Sequence, residues 1–145
     1  MKALYAVGPS YWDERVRTVA GWWRILELQR RAMEAVIGVV EVPEVEEAAH
    51  DYPNARVAAY SVLAAVRASL WGPYELVVGA PSYGLGSFIA NPGAARIAFV
   101  WNGADPYRDK MLAPEFKEAG LPYDVSPAMR MMNREGLSVV DHIVA

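Results

Sequence analysis

Two long stretches of this chain repeat apolar positions every three to four residues, and after the second come short apolar runs broken by Gly, Pro and Asn. The first, "PSYWDERVRTVAGWWRILELQRRAMEAV", places Trp12, Val16, Val19, Trp23, Leu26 and Met33 on one stripe, interrupted by Arg30. Pro9 and Ser10 suit its start, with Asp13 and Glu14 in the first turn. The second, "PNARVAAYSVLAAVRASLWG", runs from Pro53 to a glycine at 72, with Val57, Tyr60, Ala64, Arg67 and Leu70 or Trp71 in period. Two shorter helices are expected nearer the C-terminus. "YRDKMLAPEFKEAG" ends at Gly120, and "SPAMRMMNREG" starts with Ser126 as cap and Pro127 as first residue, with Gly136 expected to split it from "LSVVDHIVA". The middle differs. Tyr74–Val78 and Arg96–Trp101 read as strands, "NPG" at 91–93 as a turn, and "IGVVEV" at 37–42 stays open between strand and helix end.

At 145 residues and 54% hydrophobic, the chain suits one domain with a core of its own. No apolar run is long enough for a membrane span, and the one after Met1 stops too early for a signal peptide. The absence of cysteine excludes disulfides, thiolate nucleophiles and cysteine metal sites. Net charge is −3, unevenly spread: residues 1–34 carry +2, and residues 35–54 carry −5. The scarcity of Asn and Gln fits a hot environment.

Catalytic chemistry is thin in the sequence. His50 and His142 are far apart and lack evident co-ligands, so neither a metal nor a catalytic residue is expected, and no cofactor. Ser82 in "GAPSYG" is not a nucleophile elbow. "GLGSFI" at Gly84–Ile89 has Ile89 where a dinucleotide fingerprint needs a third glycine, and reads as a Gly-rich hairpin or loop.

Arg17, Arg24 and Arg31 are spaced seven apart, so they lie along one line of the first helix with Gly21 between the first two; Arg15 and Arg30 flank it. Such a row can follow a phosphate backbone. Internal pairing gives the same spacing, because Asp13–Arg17, Glu27–Arg31 and Arg30–Glu34 are each four apart. Trp22 and Ile25 sit off the main stripe with Tyr11, and that width of apolar arc asks for a second covering partner.

In the order and texture of its helices the chain resembles the major coat proteins of filamentous and rod-shaped archaeal DNA viruses. The similar parts are "YWDERVRTVAGWWRILELQRR", "PNARVAAYSVLAAVRASLWG" and "AMRMMNREGLSVVDHIVA", about half the chain. The resemblance implies a virion protein that packages double-stranded DNA. Arg15, Arg17, Arg24, Arg30 and Arg31 would sit on phosphates, and Trp12, Trp22, Trp23 and Ile25 would face other copies of the chain or a related coat protein. The fold expected with it is mainly α: an N-terminal helical arm over residues 1–42, then a helical core over 43–145 with a short hairpin-like insertion near 74–101.

The alternative is a three-layer, Rossmann-like α/β protein that binds a nucleotide or small molecule, an enzyme among its forms. Its strands would be Leu4–Val7, Val36–Val42, Leu76–Val78 and Ile97–Val100, and its ligand would lie near Gly8, Gly79–Gly86 and 102–105, at the strands' carboxyl ends.

Overall fold

The computed structural model describes residues 1–12, 21–44, 53–100, 105–121 and 127–145. Its centre is a five-stranded sheet in the order β2-β1-β3-β4-β5, with every neighbouring pair parallel. The strands are β1 (Lys2–Ala6), β2 (Val39–Glu41), β3 (Leu76–Gly79), β4 (Ala95–Phe99) and β5 (His142–Val144). The helices are α1 (Gly21–Ile37), α2 (Pro53–Trp71), α3 (Pro81–Ala90), α4 (Asp105–Glu118) and α5 (Pro127–Ser138), with a 3-10 turn at Pro9–Trp12.

The sheet is parallel because each strand but the last is followed by helix that carries the chain back to the sheet's other end. Its central strands are covered on both faces, so they are short and almost wholly apolar. Alternate residues of β1 feed two cores. Ala3, Tyr5 and Val7 meet Leu26, Val40 and Phe99 on the α1 side. Leu4 meets Val77, Ala98, Ala68, Phe88 and Leu137 under α2, α3 and α5. Three layers result: one helix side, the sheet, and a row of three helices with α3 in the middle.

The structure overturns the expected mainly helical fold. The segment taken as a helical arm begins with β1, and its tail supplies β2. The supposed insertion holds β3 and β4, which pair in parallel through α3 rather than as a hairpin, and β3 lies at the sheet's centre. The alternative's four strands are all found, shifted by one to three residues, and β5 joins them. The ambiguous run resolves as both elements: α1 continues through Val36 and Ile37, Gly38 turns the chain at φ +104°, and the strand starts at Val39. Gly136 does not split α5, which runs through it to Ser138.

Candidate functional site

From β1 the chain moves outward to β2 through α1. It then returns past β1 to β3, and moves outward the other way through α3 to β4. The connections leaving β1 and β3 therefore go to opposite sides of the sheet, and in such a topology the place for a crevice is outside the carboxyl ends of these two neighbours. Both strand ends are tightly held. Ala80 donates its backbone N–H to Ala6 O at 3.1 Å. A Cβ on Gly79 would lie 2.5 Å from that same Ala6 oxygen, so only glycine allows β3 this close to β1.

Four elements meet at this crevice. Gly8, with φ +101°, bends the chain out of β1, and a Cβ there would stand 3.0 Å from the Tyr83 ring. Tyr83 lies in the first turn of α3 and meets Tyr60 of α2 edge-on, with ring centroids 5.4 Å apart. The Tyr60 hydroxyl is wholly buried and makes no hydrogen bond. Burial pushes its phenol well above the ordinary range, and the backbone of Gly8 and Val7 beside the oxygen opposes that rise without completing a hydrogen bond. The N-terminus of α3 completes the site. Ala80 offers no capping side chain, Pro81 takes the first position, Ser82 is buried, and the first turn carries no acid. The positive end of that helix thus faces the crevice without an acceptor side chain of its own. α5 holds this end in place, because Gly136 lets its backbone close onto the Pro81 carbonyl.

The turn that follows Gly8 also borders a second space. A cavity of about 850 Å³ lies beside β2, lined by Tyr11, Trp12 and Trp23 together with Lys2 and Trp71. Trp23 donates its indole N–H to Tyr11 O at 2.9 Å, and Trp12 to Pro43 O at 3.1 Å. The charges lining the cavity are mutually paired. Lys2 Nζ lies 3.1 Å from Glu41, which also accepts from the Tyr74 hydroxyl. Glu27 accepts from Arg30 Nη2 at 2.7 Å, from Arg31 Nε at 3.0 Å, and from the Tyr11 hydroxyl. Tyr11 is pushed up to about 12, mainly by burial and then by Glu27.

The Arg30 hydrogen bonds hold the Glu27 carboxyl at about 2, well below its ordinary 4.5, against a smaller opposing effect of burial. A carboxyl depressed by folding stabilises the native state above its unfolded pKa and loses that effect as pH falls towards its folded one. Glu27→Gln is therefore expected to cost about 2 kcal/mol at pH 7, discounted for partial exposure. The difference from wild type should shrink between pH 4.5 and about 2, as read by urea titration across that range.

The expected DNA-contact row is only partly described. Arg30 and Arg31 are engaged by Glu27, and Arg30 also by Glu34. Arg24 is exposed, and Arg15 and Arg17 lie outside the described residues. Of the expected interface residues, Trp12 and Ile25 are partly exposed, Trp23 is half-buried against Tyr11, and the Trp22 side chain lies outside the described residues. His142 is exposed on β5 and His50 lies outside the described residues; among the described residues no cluster of three metal-ligating side chains forms. No described helix is long and apolar enough to cross a membrane. The alternative's Gly8 and Gly79–Gly86 come together at the crevice, whereas 102–104 lie outside the described residues. "GLGSFI" belongs to α3 rather than to a loop. Sequence reasoning missed Tyr60 as a site residue, because its period marked it only as core.

Set against family models, curated proteins and solved structures, the chain matches none.

Proposed function

We propose that this chain binds a nucleotide or a similar small molecule, one that joins an anionic group to a planar ring, in the crevice between β1 and β3. One observation carries the reading. The buried, unpartnered Tyr60 hydroxyl and the uncapped start of α3 meet beside Gly8, at the point where the sheet's connections diverge. A buried hydroxyl without a partner costs stability, and a helix N-terminus is a ready acceptor of phosphate or carboxylate. An anionic oxygen seated over Gly8 would answer both. The aromatic cavity reached by the same turn, with Trp12 and Trp23 on its wall, offers rings for stacking. The expectation of a DNA-packaging coat protein has less support. Two of the three described arginines of its row are already paired with Glu27.

Tyr60→Phe tests the reading with opposed signs. Removing the unpaired hydroxyl is expected to raise stability by about 1 kcal/mol. Adenosine monophosphate, titrated calorimetrically, is expected to bind wild type, and the variant about tenfold more weakly, one hydrogen bond's worth. Equal affinity of the two proteins would remove Tyr60 from the site. Absence of binding by adenosine monophosphate and by inorganic phosphate alike would end the nucleotide reading.

A further inference from the structure

Over residues 58–71, α2 carries apolar side chains all round its circumference. Tyr60, Ala64 and Ala68 face the core, and on the opposite side Val62, Leu63, Val66 and Leu70 stand in water, Val62 at 61% and Leu70 at 75% exposure. Val62, Val66 and Leu70 follow at four-residue steps, so they form one ridge along the helix. From residue 58 to 71 the only charged residue is Arg67, and its guanidinium lies over the Trp71 ring, 5.4 Å from the centroid. A helix that is hydrophobic all round belongs inside a larger body.

The neighbouring elements extend the same face. α3, packed against α2, has no charged residue at all and exposes Ile89. Among the described residues charge returns on α5, on the far side of α3, with Arg130, Arg134 and Glu135. An uncharged centre with a charged margin is the anatomy of a protein–protein interface. α2 is about 28 Å long, α3 about 15 Å and α5 about 18 Å. At roughly 9 Å of width each they offer about 550 Å² per partner, so two copies would bury about 1,100 Å², above the roughly 1,000 Å² that a specific interface needs.

We infer that this face is the contact between two copies of the chain, α2 lying against its symmetry mate across a two-fold axis. The ridge is self-complementary. Ala58, Ala65 and Ser69 leave hollows between the large residues, and an antiparallel copy brings ridge to hollow without placing one charge against another. A charged partner would find nothing to pair with. An anionic membrane surface would want lysines and arginines along the flank of the helix, and residues 58–71 hold only Arg67, turned onto Trp71. The inference is independent of the ligand crevice, since it concerns the outward side of α2.

Sedimentation equilibrium of the full chain at tens of micromolar is expected to give twice the chain mass. The double variant Val66→Glu, Leu70→Glu should weaken the dimer at least about 100-fold, because four carboxylates would meet across the axis. Leu28→Glu, an equally exposed position on α1, should leave it intact. The chain has no cysteine, so Val66→Cys offers a check that adds no charge: mild oxidation should give a covalent dimer, and Leu28→Cys should not. A monomeric wild type, a dimeric double variant, or wild-type monomer that instead co-sediments with phosphatidylcholine vesicles would each overturn the inference.

Discussion

Gly136→Ala is expected to lower the stability of the fold by about 3 kcal/mol, the upper end for overpacking a close contact. The added Cβ would fall 2.1 Å from the Pro81 carbonyl oxygen and 2.6 Å from its carbon. Both sides of this contact are backbone, α5 on one and the start of α3 on the other, so no rotamer can relieve it. The helices must separate, and the separation displaces the first turn of α3 from the crevice. Adenosine monophosphate affinity should therefore fall with stability. At the denaturant slopes of a chain this size, the urea midpoint should drop by 1–2 M. Gly93→Ala is the control. It sits in the turn after Asn91, with nothing within 4 Å of an added Cβ, and should change stability by less than about 0.5 kcal/mol.

Phe88→Ala should cost more, about 4 kcal/mol. The Phe88 ring is fully buried in the second core with Leu4, Val77 and Ala98. It also lies under Gly84, where a Cβ would be 2.7 Å from the ring's Cζ. The ring thus fills the space between β3 and β4 and supports the first turn of α3 from below. Its removal leaves a void that α2 and α3 cannot close without losing the backbone contact at Gly86, whose N–H donates to the Ser61 hydroxyl at 2.8 Å. Phe88→Leu should lose under half as much, since most of the volume is kept. Thermal unfolding of the two variants beside wild type reads both values.

Helix ends were more legible in the sequence than the sheet. Pro53 and the glycine at 72 bracket α2, although Gly72 ends it without the positive φ taken by Gly38 and Gly120. Gly120 closes the turn after α4 at φ +69°, with Leu121 N–H returning to Phe116 O. The turn at 91–93 is present, closed by Ala94 N–H to Asn91 O. Strands of three to five residues give too little period to separate them from buried helix, and "IGVVEV" contains both. Gly136 was misread because a glycine in a helical pattern signals a break only when nothing approaches it. Here the α3 backbone does, from 55 residues away in the chain. Tyr60 was invisible as a site residue for the same reason: its hydroxyl acquires meaning only when Gly8 and Tyr83 are folded onto it. Glu27 was legible as a partner of Arg31. That it also takes Arg30 and Tyr11 was not, since the Tyr11 contact depends on the bend at Gly8.

The proposed site seats a ligand's anionic group between the ends of β1 and β3, at the start of α3. Amide chemical shifts of the ¹⁵N-labelled chain, followed as adenosine monophosphate is added, test it most directly. The largest changes are expected on Gly8, Gly79, Ser82, Tyr83 and Gly84, with inorganic phosphate moving the Gly8, Ser82 and Tyr83 amides alone among them. Shifts confined to α1 and its arginines, or no shift at millimolar ligand, would contradict it.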